Sequence, residues 1–160
     1  MALGRLTPLA LDALDIRLLR AVQKKCTLTA EELAERCGTS PSTALRRLNR
    51  LRESGIIREE VALIDGQAVG RGLMLLVSVR LEREDGAAVD AFVKRVSNHP
   101  AVQQFYFVTG TTDYVIMLSV GSMEEYDDFL QRNLVRDSLV VMSNTNVVIR
   151  PLKMSLAIPI

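Results

Sequence analysis

The spacing of apolar and polar positions divides the chain into two textures. From Leu11 to Gly55 apolar residues recur every three or four positions, the helical period. Leu14, Leu18, Leu19 and Val22 form one stripe. Asp12 stands at its start as an N-cap, and Lys24-Lys25 stand at its end, where cations suit a helix C-terminus. A second, short helix is predicted from Leu33, Ala34 and Cys37. Thr29 and Glu32 make a capping box before it, and Gly38 suits the left-handed residue that ends it. Ser40 then offers another N-cap, and Pro41 fits the first helical position, where no N–H is needed. At 100° per residue, Ala44, Leu45, Leu48 and Leu51 of this third helix fall within an arc of about 120°. Ser42, Thr43, Arg46 and Arg50 lie opposite, with Arg47 and Asn49 at the margins.

From Leu73 the period shortens towards two. Leu73–Leu81 (LMLLVSVRL) predicts a strand, Asp85–Val96 an amphipathic helix with Val89, Phe92, Val93 and Val96 inward, and Asn98-His99-Pro100 a break. Val102–Thr109 and Tyr114–Val120 predict a hairpin around Gly110-Thr111-Thr112. Ser122 caps a helix carrying Tyr126, Phe129, Leu130 and Leu134, and Val140–Arg150 predicts a further strand, with the tail LKMSLAIPI as a candidate for another. The order βαββαβ is the ferredoxin-like arrangement, with helices on one sheet face. Leu73, Leu75 and Val77 are expected to leave an apolar sheet face uncovered, and such a face pairs with a second copy. The fold class is therefore α+β: an N-terminal three-helix (winged) helix-turn-helix domain, residues 1–56, a linker, 57–71, and a C-terminal ferredoxin-like domain, 72–160.

Charge changes the picture only locally. The net charge is +1, which by itself argues against a nucleic-acid binder. Residues 1–60 carry +3 and residues 61–160 carry −2, so a modestly basic head precedes an acidic body. The excess concentrates in Ser40–Glu53, which holds four arginines and one acid. Two capped helices joined by a Gly-containing turn, the second basic with small polar residues at its start, make a helix-turn-helix signature. Ser40, Ser42 and Thr43 allow close backbone approach to double-stranded DNA, and Arg46, Arg47 and Arg50 can fork onto guanine edges or phosphates. A solvated face of an ordinary bundle also carries charge, so this stretch alone leaves both readings open.

Other chemistry finds little support. Cys26 and Cys37 lack a close zinc-binding spacing, and the single His cannot complete a site. Cys37 is expected in the core, His99 on the surface, and the six methionines as gap-fillers. No nucleophile–base constellation is visible, so no enzyme activity, metal or cofactor is expected. Residues 1–10 lack a continuous apolar run, and no stretch reaches membrane-spanning length; the chain reads as soluble and cytoplasmic, with no membrane partner.

LDALDIRLLRAVQ at 11–23, LAERCGTSPSTALRRLNRLRESGII at 33–57, NHPAVQQFYFVTGTTDYVIML at 98–118 and SNTNVVI at 143–149 resemble the Lrp/AsnC (feast/famine) family of transcription regulators. The likeness runs over about residues 11–155. It implies a DNA-binding head and an ACT-like (RAM) domain that dimerises and often binds an amino acid, with homodimers commonly assembling to octamers. It also implies an effector site around Gly110, Thr111, Thr112, Asp113 and Tyr114, with Ser143 and Thr145 facing it. Where many members have Gly-Asp, this chain has Gly110-Thr111, so the effector's identity stays open. Gly110 permits close backbone approach, and Asp113 can take an ammonium group. A plain hairpin turn would use Gly, Thr and Asp as well. Two alternatives to a ligand-responsive regulator remain: an architectural DNA-binding protein without a ligand, and a siroheme decarboxylase-like enzyme. The second lacks its expected His-X-Tyr-X-Arg run here.

Overall fold

The computed structural model describes residues 10–82 and 86–160. Two compact units emerge. Among the described residues, one comprises 10–63 together with Met154–Ile160, the other 64–82 and 86–153. The last seven residues thus belong with the head, where the sequence boundary left them in the C-terminal domain. They are tied to the first helix by a two-way bond: the Ile158 N–H donates to Gln23 Oε1 at 2.7 Å, and Gln23 Nε2 donates to the Ile158 carbonyl at 3.3 Å.

Three helices build the head: α1 (Ala13–Lys24), α2 (Ala30–Cys37) and α3 (Pro41–Glu53). Each starts where a side chain can satisfy the first free N–H groups. Asp12 with Asp15, and Thr29 with Glu32, form complete capping boxes, and Ser40 caps α3 ahead of Pro41. Gly38 ends α2 at φ 63°, a conformation that favours glycine. Arg17 Nε donates to the Cys37 carbonyl at 3.0 Å, satisfying a helix-end acceptor from a neighbouring helix. The core joins Leu18, Leu19, Val22, Leu28, Leu33, Cys37, Ala44, Leu48 and Leu51. Leu45 is not part of it: its side chain stands 47% exposed, on the rim of the predicted apolar arc rather than inside it. Residues 54–72 contain no strand.

The second unit is a four-stranded antiparallel sheet in the order β2-β3-β1-β4. Its strands are β1 (Leu73–Leu81), β2 (Val102–Phe107), β3 (Tyr114–Val120) and β4 (Val140–Val147); its helices are α4 (Gly86–Ser97) and α5 (Met123–Leu130), the latter running into a π-helical turn at Gln131–Val135. The start predicted for α4 at Asp85 falls outside the described residues. The tail after Val147 adds no strand.

Leu75, Val77, Val79 and Leu81 face α4 and α5 and pack with Phe92, Val96, Tyr126, Phe129 and Leu134. This reverses one expectation: Leu75 and Val77 lie on the covered face and are fully buried. The opposite face is set by the alternate residues. Leu76 pairs with Met117, Met74 with Ser119, and Tyr106 with Val115. Leu76 is 38% and Tyr106 51% exposed there. His99 also departs from expectation. It is half-buried, edge-on to Phe129 with ring centroids 4.9 Å apart, and its Nδ1 accepts from the Ala101 N–H at 3.3 Å.

Candidate functional site

Each unit carries one stretch of concentrated polar chemistry. In the head it is α3. Ser40 Oγ accepts from the Thr43 N–H at 3.3 Å and donates to Thr43 Oγ1 at 2.9 Å, with Ser42 Oγ at 3.3 Å. These hydroxyls order the start of the helix, and Ser40 and Ser42 remain exposed. The four arginines then separate into different roles. Arg52 binds both carboxylate oxygens of Glu60 at 3.0 Å and the Asn49 side-chain Oδ1 at 3.1 Å. Arg50 donates to Asp15 Oδ2 at 2.6 Å, and Arg47 to Asp15 Oδ1 at 3.1 Å. Arg47 also bridges to Asp12. Arg46 is exposed and, among the described residues, makes no ion pair or side-chain hydrogen bond.

The electrostatics follow from this geometry. The Asp15 backbone N–H, and after it the Arg47 guanidinium, hold the Asp12 carboxyl below its ordinary value. Asp12 and then Asp15 in turn raise Arg47. Burial pushes the Cys37 thiol up, with Arg17 and Arg36 opposing, so Cys37 is a core residue rather than a reactive thiolate. Asp15 was not singled out from the sequence, although a signal was present: it is an acid beside Leu14 and one turn before Leu18 and Leu19, on the inward side of an otherwise apolar stripe.

In the second unit the polar stretch is the β2–β3 turn. The Val108 N–H donates to the Asp113 carbonyl at 2.9 Å and closes it. Asp113 then docks on β1. Its N–H donates to the Val79 carbonyl at 2.9 Å, and its Oδ2 accepts from the Leu81 N–H at 3.0 Å. Thr112 Oγ1 donates to the same Val79 carbonyl at 2.7 Å. Asp113 is 7% exposed, so its carboxylate organises the turn from inside. Gly110 and Thr111 form the exposed tip. Gly110 has φ 121°, and a Cβ there would meet open space; the glycine is required by backbone conformation, not by crowding.

Tyr114 is buried in an aromatic cluster, with ring centroids 5.8 Å from Phe92 and 5.3 Å from both Phe105 and Phe107. Ser143 stands opposite Val79, whose other neighbour is Tyr114. Ser143 and Tyr114 therefore share one row of the helix-side face, two strand spacings or about 10 Å apart. Thr145 lies one row further along, opposite Val77, and its hydroxyl pairs with that of Tyr126. The structure thus brings Thr112, Asp113, Tyr114 and Ser143 to one end of the sheet and turns Thr145 towards α5.

A helix-turn-helix head followed by an ACT-like α+β domain defines a class of DNA-binding regulators with a separate ligand-binding domain. Residues 11–58 match the winged helix-turn-helix DNA-binding family, and residues 74–158 match the Lrp/AsnC ligand binding domain. The chain belongs to the Lrp/AsnC family of transcription regulators. It is 40% identical over 150 residues to the uncharacterized HTH-type transcriptional regulator y4tD of Sinorhizobium fredii, covering 94% of this chain and 89% of that one. It is 34% identical over 133 residues to the glutamate uptake regulatory protein of Zymomonas mobilis, covering 83% and 81%. Its fold superposes with a TM-score of 0.88 on the L-Met complex of a transcriptional regulator from Neisseria meningitidis, at 32% identity over 93% of this chain and 96% of that one. No helix among the described residues is long and apolar enough to cross a membrane.

Proposed function

We propose that this regulator senses a small amino acid at the Gly110–Tyr114 turn and responds by changing its assembly or its affinity for double-stranded DNA. The observation that carries this reading is the L-Met complex of a relative that aligns with 93% of the chain. The turn is suited to the role. Asp113 and Thr112 hold it against β1, Gly110 keeps its backbone open, and Thr111 offers an exposed hydroxyl. Ser143 supplies a second hydroxyl on the same row, and Thr145 acts through Tyr126. In the head, Ser40, Ser42 and Thr43 admit the DNA backbone, Arg46 reads bases, and Arg47 and Arg50 turn their outward N–H groups to phosphates. The protein works as a non-enzymatic homodimer in the cytoplasm. Its open sheet face of Met74, Leu76, Tyr106, Val115 and Met117 provides the dimer contact, and the octamer is its larger form.

The test is a thermal-shift screen with the twenty amino acids, followed by DNA binding and sedimentation with any that stabilises. A ligand bound only by the folded state raises the melting temperature by mass action. Allosteric coupling of about 1–3 kcal/mol between ligand and DNA is expected. If no amino acid shifts the melting temperature, the sensing role fails and an architectural role remains.

A further inference from the structure

Asp15 has no exposed surface, yet it sits in the apolar stripe of α1 between helices that pack through Leu18, Leu48 and Leu51. A buried carboxylate is tolerated only where charge and hydrogen bonds compensate it. Here compensation comes from three directions. The Asp12 N–H donates to Oδ2 at 3.2 Å, Arg47 holds Oδ1 at 3.1 Å, and Arg50 holds Oδ2 at 2.6 Å. The two arginines are three residues apart, so they leave α3 on one side within a single turn. One planar carboxylate therefore grips α3 at two points.

Apolar packing is non-directional and leaves a helix free to rotate or slide by small amounts. A two-point ionic grip does not. We propose that Asp15 is the positioning residue of the DNA-reading helix: through Arg47 and Arg50 it sets the rotation and depth of α3, and so decides where Arg46 meets the bases. Each guanidinium carries five N–H donors in a fixed fork. Holding part of the fork on Asp15 orients the remaining donors outward, and the side chain of Arg50 is still 44% exposed. Arg46 directly precedes Arg47, turned about 100° from it round the helix, and no protein group among those described engages it. A small rotation of α3 moves Arg46 against the base edges while leaving the number of phosphate contacts unchanged.

This inference rests on α3 being the helix that enters DNA, and the experiment separates the two claims. The protein selects duplexes from a randomised pool, and the best of them is the probe for affinity, base preference and salt dependence. The slope of log affinity against log salt counts neutralised phosphates. Asp15→Asn keeps the size of the side chain and removes its charge. The expected result, well below the melting temperature, is roughly tenfold weaker binding, a flattened base preference and an unchanged salt slope. Arg50→Lys, at a half-exposed position that does not threaten folding, keeps the charge but loses the fork. It is expected to flatten base preference in the same way, with the same slope. Adding Arg50→Lys to Asp15→Asn should cost little more than Asp15→Asn alone, because both break one linkage. Unchanged base preference in both variants would overturn the proposal, and so would tighter binding with a steeper slope, which would mean that Asp15 merely withholds arginines from phosphate. If Arg46→Ala also leaves base preference untouched, the reading of α3 itself is wrong. If only Arg46→Ala alters it, α3 reads DNA but Asp15 does not position it.

Discussion

The basic helix of the head and the Gly110 turn of the second unit are both held by ionic side chains, but on different partners. Both engage their strongest ionic groups within the protein: Arg47 and Arg50 on Asp15, and Asp113 on the Leu81 N–H. In α3 the partners are side chains at the start of another helix, and the acid at their centre, Asp15, is buried. Its two pairs are therefore little screened by salt and hold α3 in place, while the pair of Arg47 with the half-exposed Asp12 is the weak one. In the turn Asp113 and Thr112 bond to backbone groups of β1, which the sheet fixes. Such a bond is costly to lose and does not rearrange. Both are therefore held rigidly, α3 by charge paired with charge between helices and the Gly110 turn by polar side chains on backbone groups. Facing outward are Arg46 and Ser42, beside the outward donors of Arg47 and Arg50, in α3, and Gly110 with Thr111 in the turn.

The sharpest test of that contrast is Asp113→Ala. It leaves the buried Leu81 N–H without its acceptor, and we expect a loss of about 2–3 kcal/mol in chemical denaturation. Its ligand response should vanish as well, but through loss of the turn rather than loss of a contact. A stability equal to wild type would show that the turn is not anchored as described. Thr112→Val removes one hydroxyl bond to the Val79 carbonyl and should cost about 1 kcal/mol. Thr111→Ala provides the clean comparison. Its stability should stay within about 0.5 kcal/mol of wild type, as for surface substitutions generally, while the melting shift produced by an amino acid falls. A full response in Thr111→Ala would move the contact elsewhere on the turn.

The smallest effect concerns pH. Asp12 is held below its ordinary value near 3.8 by the Asp15 N–H and by Arg47. A depressed carboxylate contributes stability that is present above its unfolded value and is lost as pH falls through the folded one. The melting temperature of wild type should therefore drop more than that of Asp12→Asn as pH is lowered below about 4. Equal drops would mean that Asp12 contributes nothing through its charge.

Much of this was legible before the structure. Asp12, Thr29, Ser40 and Ser122 are local signals, because a cap needs only its own helix, and all four cap as predicted. The strands were legible by alternation, but which face they bury was not. Leu73-Met74-Leu75-Leu76 is apolar at both parities, so the pattern cannot choose, and the faces are settled by pairing with β3 and β4. Leu45 illustrates a related limit: a wheel gives direction from the helix axis but not how wide a stripe the neighbours cover. The roles of the arginines depend on contacts over thirty residues away, from Asp12 and Asp15 to Arg47 and Arg50, and no local spacing announces them. His99 reads as surface beside Pro100, yet α5 brings Phe129 over its ring.

The central claim is that α3 contains residues that hold the helix and residues left for DNA, and that Arg46 belongs to the second group. The most direct measurement pairs the affinity of Arg46→Ala for a selected duplex at fixed salt with its melting temperature. We predict an affinity loss of about 1–3 kcal/mol, as for a bidentate base contact, with melting unchanged. Unchanged affinity, or a fall in melting temperature large enough to explain the loss, would contradict it.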